Sequence, residues 1–140
     1  MKRITIFIVF AFIFISLSTG CVEKEDDVVA LNINDIRTDP LSFTGEIALT
    51  GINVGIYPPD PTIFFLMDTD ELLACKNMQC GAFQLPVIYN GSEPIPELAD
   101  EVVIKGSWVK YEDGGQSVDI FGATSIEVKG NTMSILMGGA

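Results

Sequence analysis

Gly45-Glu46-Ile47-Ala48-Leu49-Thr50-Gly51-Ile52-Asn53-Val54-Gly55-Ile56 is the stretch that decides the fold. Its apolar residues keep period two. Ile47 and Leu49 share one face, and after Gly51 the phase slips by one, so that Ile52, Val54 and Ile56 carry on. Period two belongs to a pleated strand, whose side chains alternate between faces. A slip at a glycine is the mark of a β-bulge, which bends a long strand.

Working outward, four further strands follow. Thr62 to Met67 is a short apolar strand, reached through the loop Tyr57-Pro58-Pro59-Asp60-Pro61. Phe83, Leu85, Val87 and Tyr89 form a third strand, in which Pro86 lacks a ladder donor and so marks an edge or a bulge. Val102, Ile104 and Trp108 mark one face of a fourth strand, and Val118, Ile120, Ile126 and Val128 place a fifth, with Gly122 as a kink. Asp113-Gly114-Gly115 joins these two as a hairpin turn. Asn90-Gly91 turns the chain, and Pro94 to Leu98 allows one helical turn between the third and fourth strands. Upstream, Asn34 caps a short turn with Ile33 and Ile36 inward, and Asp39-Pro40 ends it, because the residue before a proline leaves the α region.

The expected fold class is all-β: a small five-stranded OB-like Greek-key barrel over residues 31–130, with one or two short helical turns. Residues 131–140 have no clear pattern and read as a loose C-terminal tail.

The start of the chain is organised differently. Lys2 and Arg3 precede an apolar run from Ile4 to Ile15, then Ser16, Leu17, Ser18, Thr19 and Gly20 lead to Cys21. This is the three-part plan of a secretory signal peptide over residues 1–20, and the run is short for a spanning helix. Ser18-Thr19-Gly20-Cys21 resembles the lipobox of lipoproteins. That resemblance implies cleavage before Cys21 and lipid on its thiol. Thr19 and Gly20 fit the family pattern, while Ser18 stands where an aliphatic residue is usual. An incidental cysteine after an ordinary signal peptide and an uncleaved anchor are the alternatives. Residues 21–30 begin Cys-Val-Glu-Lys-Glu-Asp-Asp and read as an acidic, solvated tether.

Composition bounds the chemistry. The 140 residues are one domain's worth. Lys2 and Arg3 leave with the leader, so 6 basic residues face 19 acidic ones, a net charge of −13. Such a surface repels phosphate backbones and argues against nucleic acid. The chain has no histidine, which excludes Ser-His-Asp and Cys-His catalytic units.

A further resemblance concerns the barrel. Pro86-Val87-Ile88-Tyr89-Asn90-Gly91-Ser92-Glu93-Pro94, Val102-Val103-Ile104-Lys105-Gly106 and Phe121-Gly122-Ala123-Thr124-Ser125-Ile126 resemble the barrel of the periplasmic haem chaperones of cytochrome c maturation, and of membrane-tethered OB-fold lipoproteins more widely. The resemblance implies an OB barrel at the membrane face. The chaperones hold haem through a histidine or cysteine near the C-terminal end, with a tyrosine nearby. Residues 126–140 contain none of these, so haem handling does not carry over.

Cys75-Lys76-Asn77-Met78-Gln79-Cys80 is the constellation that could carry chemistry. Outside the cytoplasm a close pair is most simply a disulfide, which contributes on the order of 2 kcal/mol by loop closure. The alternatives are a redox pair or half of a metal site, although four intervening residues exceed the redox C-x-x-C spacing. Asp68, Asp70 and Glu71, with Asp60, are candidate cation ligands, set against the reading as a solvated turn. Trp108, Tyr111 and Phe121 are candidates for a stacking platform on the binding face, set against burial in the core. Asn90-Gly91-Ser92 fits an N-glycosylation acceptor as well as a turn.

The expected function is a cell-envelope lipoprotein on the outer face of the membrane. Its barrel binds a protein partner or a small ligand, with no catalysis and no resident cofactor. The alternatives are a redox or metal-handling factor using Cys75 and Cys80, and a diverged haem-maturation relative.

Overall fold

The computed structural model describes residues 29–137. The leader, Cys21 and the tether up to residue 28 lie outside the described residues. The described chain is mostly β. Its elements run β1 (Leu31–Asn32), a 3-10 helix (Ile33–Ile36), a second 3-10 helix (Pro40–Ser42), β2 (Ile47–Ile56), β3 (Ile63–Met67), α1 (Thr69–Cys75), β4 (Leu85–Tyr89), β5 (Asp100–Asp113), β6 (Gln116–Asn131) and α2 (Met133–Met137).

The six strands form one mixed sheet. β2 is antiparallel to β5 through Ile47–Ile52 and to β3 from Ile52 to Ile56. β3 is antiparallel to β4, and β5 to β6, while β4 runs parallel to β6. The pairings therefore lead from β2 through β3, β4, β6 and β5 back to β2. The sixth strand is the two-residue β1, which lies parallel to Leu49 and Thr50 of β2. Residues 31 and 32 are too few to show a period, which is why the sequence suggested five strands.

The interior is filled by Leu49 of β2, Phe64 and Leu66 of β3, Leu85, Val87 and Tyr89 of β4, Val102 and Ile104 of β5, and Phe121 of β6. Ile33 and Ile36, both fully buried, close one side of it from the first 3-10 helix. That turn is entered at Asn32, whose amide donates to Asp35 at 2.9 Å, so the cap stands two residues before Asn34. A second cluster, Ile52, Met67 and Leu72, packs with Val54, Met78 and Leu136.

These two clusters explain the slipped alternation in β2. Leu49 and Ile52 differ by an odd number of residues and so point to opposite faces. The strand buries both: Leu49 in the interior, Ile52 under α1. The register shift comes later, between Asn53 and Gly55. At Gly51, a Cβ would stand 2.8 Å from both Ile33 Cγ1 and the Met67 carbonyl oxygen, so the glycine serves close approach and is not a bulge. In β6 the irregularities fall at Thr124 and Lys129, which the pairing with β5 skips, and not at Gly122.

Pro94 to Leu98 forms no helix. Two prolines interrupt it, and its carbonyls are bound from outside: fully buried Asn53 donates through Nδ2 to Pro96 O at 2.7 Å and Glu97 O at 3.2 Å. The helix stands instead between β3 and β4. Asp68 caps α1, its Oδ1 accepting from the amides of Asp70 at 3.0 Å and Glu71 at 3.2 Å. The expected loose tail is ordered at its start. Thr132 bonds Ala99 O through both amide and hydroxyl, at 2.9 Å each, and places α2 so that Leu136 covers the second cluster.

Candidate functional site: a groove between the β2–β3 loop and the β5–β6 hairpin

β4 and β6 are paired only over Val87–Tyr89 and Phe121–Ala123. Before Val87 and before Phe121 they have separated. Pro86 sits at the point of separation, with β3 as its partner on one side, which is the edge position a strand proline requires. The separation opens a groove of about 170 Å³, lined by Tyr57, Ile63, Phe65, Pro86, Tyr111, Asp113, Val118, Asp119 and Ile120.

Strand alternation supplies its floor. Phe64 and Leu66 point into the core, so Ile63 and Phe65 face outward; Phe121 points in, so Ile120 faces outward. The walls come from two loops. Tyr57 begins the β2–β3 loop and packs edge-on against Phe65, ring centroids 6.5 Å apart. Tyr111 and Asp113 belong to the far end of β5, beyond the last residue paired with β2, Gly106. There β5 and β6 continue as a two-stranded hairpin, closed by Gly114 at φ 57° and Gly115 at φ 84°. Two successive positive φ values are what a two-residue hairpin turn of this hand needs.

The two loops are joined at the groove's rim. The Tyr111 hydroxyl donates to Asp60 Oδ2 at 2.9 Å. Asp60 Oδ1 accepts from the Thr62 hydroxyl at 2.6 Å and the Thr62 amide at 3.1 Å. The Thr62 hydroxyl and amide, and then Tyr111, hold the Asp60 carboxyl below its ordinary range. The same bond to Asp60 raises Tyr111 above the ordinary phenol value. Backbone bonds from Tyr57 N to Ile63 O and from Ile63 N to Asp60 O, together with Pro58, Pro59 and Pro61, leave this loop little freedom.

The other sequence candidates are placed as follows. Tyr111 alone of the three aromatic candidates reaches the groove. Phe121 is fully buried in the core, and Trp108 packs edge-on against it at 5.6 Å, so the three do not form one platform. Asp68, Asp70 and Glu71 are not gathered round a cation position. Asp68 is consumed as the helix cap, Asp70 is exposed, and Glu71 Oε1 accepts from the Ala82 amide at 2.8 Å. Among the described residues no three cysteine or acidic side chains form a metal-holding group.

Cys75, the last residue of α1, and Cys80 lie at disulfide distance, with Cα atoms 6.6 Å apart, at an exposed corner. Lys76 in the left-handed region turns the chain there, and Asn77 binds Gln79 N and Cys80 N. Asn90 is exposed at the end of β4. Gly91 beside it is required because the Tyr89 phenol lies over its Cα and leaves no room for a side chain.

A second depression, of about 430 Å³, lies beside Ile88, Asn90, Ser107 and Gly122. No charged side chain lines it; the base of the β5–β6 hairpin contributes Ser107, Val109 and Gly122, and the β2–β3 loop does not reach it. Sequence reasoning missed Tyr57, Phe65 and Pro86 as parts of one site. The outward parity of Phe65, odd against the buried Phe64, was the available sign.

No protein-family model matches the chain, and no curated protein matches it either.

Proposed function

We propose that the protein is an exported, lipid-anchored binding module whose OB-like barrel holds its partner in the groove between the β2–β3 loop and the β5–β6 hairpin. The observation that carries this reading is the pairing circuit β2-β3-β4-β6-β5-β2 with a groove set between those two loops. In the OB plan a five-stranded barrel presents its ligand on the second and third strands and between the loops that join strands one to two and four to five. β3, β4, the β2–β3 loop and the β5–β6 hairpin hold those places here. The leader, the Ser18-Thr19-Gly20-Cys21 junction and the acidic tether support a domain held just off the outer face of a membrane by lipid on Cys21.

Cys75 and Cys80 act in this reading as a structural disulfide. Their pairing ties the end of α1 to the segment that leads back into β4. They lie outside the set of residues that line the groove.

A photo-crosslinking residue at Val118, in intact cells, tests the assignment against the same residue at Val128, which is as exposed but ten positions further along β6. Crosslinks from Val118 that disappear in Tyr57→Ala are expected. Equal crosslinking from both positions would remove the groove as the binding site. Cys21→Ser should move the chain out of the membrane fraction, and unchanged fractionation would remove the anchor.

A further inference from the structure

We propose that the groove takes an arginine side chain presented by a protein partner, its guanidinium held between the tyrosines and Asp113. This rests on the groove being the binding site. Three properties of the groove select that occupant.

The first is size. About 170 Å³ is below the roughly 300–1,000 Å³ usual for a small-molecule pocket, and it suits one long side chain. The second is the lining. Tyr57, Phe65 and Tyr111 give three aromatic surfaces around an apolar floor of Ile63, Pro86 and Ile120. Aromatic faces attract cations, and a planar guanidinium stacks on them where an ammonium does not. The apolar floor accommodates the methylene stem.

The third is charge. The two loops carry Asp60, Glu112, Asp113 and Asp119 against the single cation Lys110. Lys110 is already paired with Asp119 at 2.8 Å, and Asp60 is occupied by Thr62 and Tyr111. Asp113 lines the groove and makes no ion pair among the described residues. A carboxylate beside aromatic walls, on a chain of net charge −11 as written, is complementary to a cation and repels an anionic guest. A partner-borne side chain is favoured over a free metabolite because the groove is small and opens to solvent between two surface loops. The rest of the contact would fall on the exposed hairpin around it, where Val109 and Val118 are 39% and 43% exposed.

The test uses the full chain in detergent micelles, with Ile and Val methyl groups labelled for NMR. It is titrated with a capped Gly-Arg-Gly peptide, the same peptide with citrulline in place of arginine, and tetramethylammonium. Citrulline keeps the shape and removes the charge. The expected result is that the arginine peptide shifts Ile63, Val118 and Ile120. The citrulline peptide should bind about tenfold more weakly, as should the arginine peptide to Asp113→Asn, while the Ile33 and Ile104 methyls stay unmoved. Equal binding of the citrulline peptide would overturn the cation and leave the groove standing. Tetramethylammonium binding as well as the arginine peptide would overturn the guanidinium. Absence of shifts in the groove with all three would overturn the proposal, whatever crosslinking at Val118 reports.

Discussion

At the scale of single residues, Asn53 and the Asp60–Tyr111 pair do work that their residue types alone do not announce. Asn53 is a fully buried amide that joins β2 to the irregular chain before β5. Its Nδ2 serves two carbonyls, its Oδ1 accepts from Gly55 N at 3.0 Å, and its own carbonyl accepts from Ala99 N at 2.8 Å. Asn53→Ala strands the side chain's partners in a buried place, so a loss of about 3 kcal/mol is expected in urea unfolding. A change below about 0.5 kcal/mol, the usual range for surface substitutions, would contradict the buried network. The Asp60–Tyr111 bond is part-buried at the groove's rim and titrates at both ends. Asp60 has a folded pKa below its unfolded value, so its contribution is present above about 3.9 and is lost as pH falls through the folded value. Tyr111 has a raised folded pKa, so its contribution is present below about 10 and is lost as pH rises through the folded value. The bond therefore holds across neutral pH and opens at both extremes, which the Tyr111 ring resonances should follow. In Tyr111→Phe the Asp60 carboxyl should still titrate low, because Thr62 is the larger cause. A return to the ordinary aspartate value would contradict that order.

At the scale of elements, the strands and the first helical turn, with Ile33 and Ile36 inward, were legible, and the two α-helices were not. β4 and β5 keep period two because Leu85, Val87, Tyr89, Val102 and Ile104 face the core. β3 is apolar on both faces. In β6 the alternating Val118 and Ile120 face the groove while Phe121 enters the core. The hairpin was announced by Asp113-Gly114-Gly115. The phase slip in β2 was visible, but its cause was a second cluster on the opposite face, which only the placement of α1 and α2 reveals. The helical turn was expected at Pro94–Leu98 because of its composition, yet buried Asn53 claims those carbonyls from forty-odd residues away. The true helix was hidden in residues read as a cation site. Asp68-Thr69-Asp70-Glu71 before Leu72-Leu73 is a capping pattern ahead of an apolar pair, and that sign was present in the sequence. The groove was only partly legible. Tyr111 was singled out, but Tyr57, Phe65 and Pro86 meet it because β4 and β6 part at Val87, a fact of topology. For the loop after α1, replacing Cys75 and Cys80 by serine together should cost on the order of 2 kcal/mol and leave groove binding unchanged. Alkylation of the intact chain should label neither cysteine until reductant is added. Labelling without reductant would contradict the disulfide and reopen the loop as a redox or metal centre.

At the scale of the whole molecule, the account is of an acidic domain with its chemistry at one rim. β1, the first 3-10 helix, α1 and α2 pack against β2 and the two clusters, while the β2–β3 loop and the β5–β6 hairpin extend away to frame the groove. Among the described residues no helix is long and apolar enough to cross a membrane. The central claim is that the partner sits in that frame. Amide hydrogen exchange of the chain in its native membranes, set against the same chain purified in detergent, tests it most directly. The account predicts added protection in the membranes at Tyr57–Phe65 and Val109–Ile120, with the Cys75–Cys80 corner unchanged. Protection gained at that corner, or no difference anywhere, would contradict it.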